Sequence, residues 1–160
     1  MGAWCLPAWR APVSAADVPL ESTGPVHQVV VRVVEPRMVR ILQDNEQCPV
    51  LPIVEGPGRA VAVVWPGAQA HLRSMHRISL GVGSRTIRLQ HPMEAVYYVM
   101  SGATAVTDPS TGQTSDLIAG SMALIDPGTP YTFIAGDDGA ELVGGPCPAD
   151  PAMYRHLEES

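Results

Sequence analysis

Lysine is absent from this chain of 160 residues, and all ten of its basic residues are arginine. Schiff-base and lysine-nucleophile mechanisms are thereby excluded, because both need a side-chain primary amine. Charge of either sign is scarce: 16% of the residues are charged and 46% are hydrophobic. Such a chain can bury a core, must expose a surface poor in charge, and is not disordered throughout. The net charge is −6 and the arginines form no basic run that could track a phosphate backbone, so nucleic acid is not an expected partner. Cysteine is also sparse. Cys5, Cys48 and Cys147 lie far apart with no C-x-x-C pair, which argues against a zinc knuckle or a disulfide framework and for reduced thiols. No apolar stretch approaches the roughly 20 residues needed to cross a bilayer. The start, MGAWCLPAWRAPVSAADVP, lacks a charged leading region and is broken by Pro7 and Pro12, so it does not read as a signal peptide. The expectation is a cytoplasmic protein without a membrane partner. Abundant Ala, Gly, Pro, Val and Arg suggest a GC-rich bacterial coding sequence.

Short strands are what the chain does contain. Residues 1–25 are rich in Ala and Pro without a sustained period and read as an irregular arm. The segments His27–Glu35, Met38–Gln43, Arg59–Trp65 and His76–Val82 read as strands bounded by turn residues. From Arg85 onward a regular beat follows: RTIRLQH, AVYYVM, ATAVT, the turn DPSTGQTS, DLIAG, SMALID, PGTP, YTFIA, GDDG, AELVG. This spacing predicts an all-β sandwich or barrel over residues 26–148. In the tail, 149–160, one or two helical turns are expected near Met153–Leu157, capped by Asp150 before Pro151. The length suits one domain.

Gly83, Gly102, Gly120 and Gly128 stand in two spaced patterns, with 17 residues between Gly102 and Gly120. In this framework the chain resembles the cupin superfamily, whose motifs are G-x5-H-x-H-x3-E-x6-G and G-x5-P-x-G-x2-H. The resemblance covers roughly the last half of the chain up to Ala135. It implies a single double-stranded β-helix, a jelly-roll-like barrel, with sharp turns at the glycines. The ligand positions depart from the pattern: Leu89 and Ala95 replace a histidine and the glutamate, Tyr131 replaces the second-motif histidine, and only His91 remains. Asp126 stands where the motif has proline, with Pro127 one residue later. HPMEAVYYV also resembles the matching segment of ectoine synthase, a cupin that keeps a glutamate directly before Ala-Val-Tyr. Two readings follow for Glu94. Either a bulge turns it into the barrel as a metal ligand, or it faces outward and the metal is lost.

Alternation along strands then predicts the pocket. Arg85, Ile87, Leu89 and His91 would face inward, with Ala95, Tyr97 and Val99 from the next strand and Ala123, Ile125, Tyr131 and Phe133 from the second motif. Arg85 sits at the outer end, where it could catch a carboxylate or remain solvated. Histidine titrates near neutral pH, so His91 can act as general acid or base. Tyr131 can donate to a developing oxyanion or simply fill space, while Tyr97 reads as core. His71 and His76 read as surface or edge histidines, and Trp65 as core or interface.

The expected function is a small-molecule cyclase, lyase or isomerase acting on an apolar substrate without a tightly bound metal. By resemblance to ectoine synthase and cupin-type polyketide cyclases, bacterial specialised metabolism is its expected setting. Two alternatives stand beside it: a metal-dependent lyase or oxygenase holding iron or zinc through His91 with Glu94 or Tyr131, and a non-catalytic small-molecule binder. Pairing through the apolar segment Val26–Gln43 would give a homodimer.

Overall fold

Small and β-branched side chains in alternation with polar ones produce the strands, and glycines place the corners. The computed structural model describes residues 39–70 and 72–158. The expected arm 1–25, the strand His27–Glu35 and His71 lie outside the described residues, as does most of the segment expected to pair two copies. Residues 39–43 form no strand, and Val39 and Ile41 are exposed, so the expected strand Met38–Gln43 is corrected here. No strand of the sheet pairs with this stretch; it is fixed instead by Arg40, whose guanidinium donates to the Ala68 and Gln69 carbonyls at 3.1 and 3.0 Å.

Among the described residues, nine strands form one curved, antiparallel sheet: β1 (Val50–Leu51), β2 (Val54–Glu55), β3 (Gly58–Val64), β4 (Met75–Leu80), β5 (Arg85–Thr86), β6 (Ala95–Asp108), β7 (Gln113–Ile118), β8 (Met122–Ile125) and β9 (Thr132–Pro146). Along one path the order is β1-β3-β4-β9-β5-β2. The long β6 runs beside β9 from Ala95↔Pro146 to Thr107↔Thr132, and its free side is shared by β8 near Ala95–Tyr98 and β7 near Ala103–Asp108. The result is the expected all-β, nearly closed barrel. Among the described residues, no helix is long and apolar enough to cross a membrane.

Two strands spanning the whole barrel must bend. Register shifts in β6 between Val99 and Ser101 and between Gly102 and Thr104 provide the bend. Gly102 takes φ of +73°, and a Cβ there would strike the carbonyl oxygen of Gly139 on β9, so only glycine fits both the conformation and the space. All four glycines of the spaced patterns, Gly83, Gly102, Gly120 and Gly128, have positive φ. The GDDG stretch, which the sequence sets between the segments YTFIA and AELVG, is the bent middle of one continuous strand, β9.

The core follows from the inward faces. Leu51, Ile78, Val99, Phe133 and Leu142 are all at most 1% exposed, each contributing about 1.5–3 kcal/mol through burial. Phe133 packs edge-on to Tyr97 and Tyr131, with ring centroids 5.1 and 5.6 Å away. In the tail Asp150 caps a 3₁₀ turn, Pro151–Tyr154, as expected: its side chain accepts from the Ala152 amide at 2.9 Å. The short helix α1 (Arg155–Glu158) follows. Met153 and Tyr154 are buried, so the tail is packed onto the barrel.

Candidate functional site

His91 and Tyr131 are brought together by a single bridge. Leu89 and Tyr131 exchange both backbone hydrogen bonds at 2.8 Å, and His91, two residues beyond Leu89, falls on the same inward face. The His91 carbonyl accepts from the Gly128 amide at 2.7 Å, which ties the tight turn of the second motif to the histidine of the first.

The side chains form one buried line. Asp150 Oδ2 accepts from His91 Nδ1 at 2.7 Å, His91 Nε2 lies 2.9 Å from the Tyr131 hydroxyl, and that hydroxyl lies 2.8 Å from the hydroxyl of Tyr97. Exposures of these four residues range from 0% for Tyr97 to 5% for Asp150, so bulk water does not compete for the bonds. Their direction follows from a donor count. With Asp150 accepting at Nδ1, Nε2 accepts from Tyr131, whose oxygen accepts from Tyr97, and every donor is used. The reverse direction would leave the Tyr97 O–H without one of these partners. Burial holds the Tyr131 phenol well above its ordinary pKa, with neighbouring Tyr97 adding to the effect, and burial likewise raises Tyr97. Both phenols therefore remain protonated donors.

A second buried pair lies nearby. His76 Nε2 is 2.7 Å from the Tyr154 hydroxyl, and its Nδ1 has no hydrogen-bond partner among the described residues. Burial, followed by the proximity of His91, pushes His76 down to about 4. His76 is fully buried and not the surface histidine expected from sequence. The physical reason is the period of β4, where His76, Ile78 and Leu80 all point inward.

Beside this line opens a cleft of about 450 Å³ between the 87–91 segment and the tail, with Ile53 completing one wall. Leu89, His91, Asp150 and Met153 lie along it. Of the expected pocket residues, Leu89, His91, Ala95, Tyr97, Val99, Ala123, Tyr131 and Phe133 are buried and inward. The three large rings among them fill barrel space that was expected to be an open apolar cavity, and the cleft lies beside the 87–91 segment instead. Ile125 is half-buried and borders, with Tyr131, a separate hollow of about 130 Å³.

Arg85 and Ile87 are corrections. Thr86, not Arg85, faces inward, accepting from the Phe133 amide at 3.0 Å. The Arg85 side chain is 62% exposed and pairs with Glu55 at 2.7 Å. Ile87 and Arg88 are consecutive outward residues, so the alternation slips by one between Thr86 and Leu89. Ile87 still reaches the cleft from its rim. Asp150, foreseen only as a helix cap, is the partner sequence reading missed; it lies 59 positions from His91 with no local pattern linking the two.

Glu94 is exposed and contributes inward only its backbone, the carbonyl accepting from the Cys147 amide at 2.9 Å. Both His91 nitrogens are already engaged, and Tyr131 keeps its proton. Among the described residues, no three His, Cys, Asp or Glu side chains converge as metal ligands. This donor set does not fit the divalent ion that the cupin motif normally serves.

No family model matches the sequence, and no curated protein matches it either. Solved structures do. An RmlC-like cupin from Shewanella frigidimarina aligns over 69% of this chain and 93% of its own, at 20% identity and a TM-score of 0.54. The polyketide cyclase RemF from Streptomyces resistomycificus aligns over 72% and 82%, at 17% identity and a TM-score of 0.57. A predicted oxalate decarboxylase from Thermotoga maritima aligns over 66% and 96%, at 18% identity and a TM-score of 0.54. At these identities the likeness is one of fold: the chain has the cupin fold.

Proposed function

We propose that this cupin-fold chain is a small-molecule enzyme, a cyclase, lyase or isomerase, that performs proton transfer at the cleft without a tightly bound metal. The observation that carries the reading is the Asp150–His91 pair on the wall of a largely apolar cleft, backed by the Tyr131 hydroxyl. Fold alone does not fix activity; the fold is shared with a polyketide cyclase and a predicted oxalate decarboxylase, which supports enzymatic use of such a barrel.

In this mechanism Asp150 fixes the His91 ring through Nδ1 and leaves Nε2 as the proton acceptor. A substrate C–H or O–H that takes the place of the Tyr131 hydroxyl at Nε2 gives up its proton there. The displaced hydroxyl, still protonated, is then free to donate to the oxygen on which charge develops. Apolar walls hold a flexible substrate in its reactive conformer and keep water from competing.

The test is turnover by the full chain of apolar substrates able to cyclise, eliminate or isomerise. His91→Gln should lower kcat by about 10²–10⁴, Asp150→Asn should lower it through loss of ring orientation, and a chelator should leave it unchanged. Undiminished turnover by His91→Gln, or metal-dependent turnover, would overturn the reading. A non-catalytic binder is the second reading, favoured by the engagement of both His91 nitrogens inside the protein; binding with no turnover of any substrate in the panel would support it.

A further inference from the structure

We infer that the molecule bound in the cleft is an amphipathic organic anion, its apolar body against Ile53, Leu89 and Met153 and its anionic group between Arg88 and Arg155. The inference rests on reading the cleft as a ligand site, as proposed above, and adds the chemical class of the ligand.

Arg88 and Arg155 border the same cleft from opposite walls, one on the 87–91 segment and one on α1 of the tail. Both are exposed, and neither makes an ion pair or side-chain hydrogen bond with another described residue. Arg77 and Arg85, elsewhere on the barrel, each hold a carboxylate at 2.9 Å or less. The acid that lines the cleft cannot serve the two arginines in the same way. Asp150 already gives one oxygen to His91 and the other to the Ala152 amide. In a chain of net charge −6, the described residues at the mouth of this cleft therefore present a local excess of positive charge over apolar walls. A cation would be repelled and a neutral apolar molecule would leave both guanidiniums unused. A carboxylate or phosphate on an apolar body satisfies walls and rim together, because guanidinium offers paired donors to either group.

Isothermal titration of the full chain at low salt with octanoate, octyl phosphate and octanol tests this. Both anions should bind about tenfold more tightly than octanol, the worth of a charged hydrogen bond, and added salt should weaken them. Preference between the two anions identifies carboxylate or phosphate as the natural group. Arg88→Gln and Arg155→Gln should each weaken both anions several-fold and leave octanol unchanged, whereas Arg59→Gln, an exposed arginine away from the cleft, should change nothing. Equal affinity for octanol and the anions, no binding of any probe, or unaltered anion binding by both cleft variants would overturn the inference. Because titration reads binding without turnover, anion binding by a chain that turns nothing over would sink the enzymatic reading alone. His91-dependent turnover of a neutral substrate with no anion preference would sink this one alone.

Discussion

Acid should destabilise this barrel through His76. In the fold its imidazole is held at about 4, against 6.5 for the free side chain, because the ring is buried and faces His91. Between these two values the unfolded chain binds a proton that the folded chain does not, so stability is fully present above pH 6.5 and is lost as the pH falls toward 4. A difference of about 2.5 units at 1.36 kcal/mol per unit gives a loss of roughly 3 kcal/mol between pH 7.5 and 4, a large fraction of an ordinary folding free energy. Urea unfolding at half-unit intervals of pH reads the slope. His76→Gln provides the comparison: its baseline will be lower if the amide meets Tyr154 less well, but it carries no proton to gain, so its curve should fall by roughly 3 kcal/mol less over the same interval. Parallel curves for the two proteins would refute the reasoning, as would an imidazole titration of His76 by NMR near the ordinary histidine value.

Tyr131→Phe removes the hydroxyl between His91 and Tyr97, leaving two buried polar groups short of a partner; urea unfolding should show a loss of about 1–3 kcal/mol, and unchanged stability would mean that the line of hydrogen bonds contributes nothing. Gly144→Ala would set a methyl group against the Val96 carbonyl and 2.6 Å from Tyr97 Cα, so a loss of about 3 kcal/mol or more is expected, read as soluble yield and unfolding midpoint; near-native stability would mean that β6 and β9 can separate there. Glu94→Gln should change stability by no more than about 0.5 kcal/mol and leave the metal content of the purified protein unchanged; metal lost with this carboxylate would restore Glu94 as a ligand.

The parts of the molecule governed by local rules were legible in the sequence. Glycine needs no partner to reveal a sharp turn, and the four spaced glycines marked the corners of the barrel correctly. Alternation placed Ala95, Tyr97, Val99 and Phe133 inward because they lie in regular strand, and Leu89 and His91 inward because the bridge to Tyr131 holds them in phase. It failed at Arg85 and Ile87, where the backbone is held by Ile53, between β1 and β2, and by Ile134 on β9, which no neighbouring residue encodes. The burial of His76 is encoded in its phase with Ile78 and Leu80, two and four residues on along the same strand. Asp150 could be recognised from Pro151 as a cap, but its bond to His91 depends on how the tail folds back across the barrel.

That fold-back has a consequence for the integrity of the chain. The last strand ends at Pro146, so trimming from residue 150 would leave every rung of the sheet in place. It would nevertheless remove the carboxylate that orients His91, the phenol that His76 touches, and one of the two arginines at the mouth of the cleft. A protease cut in this segment would thus impair the site while the barrel still gave the circular dichroism of an intact β-protein. The short tail behaves as a keystone set from outside the arch.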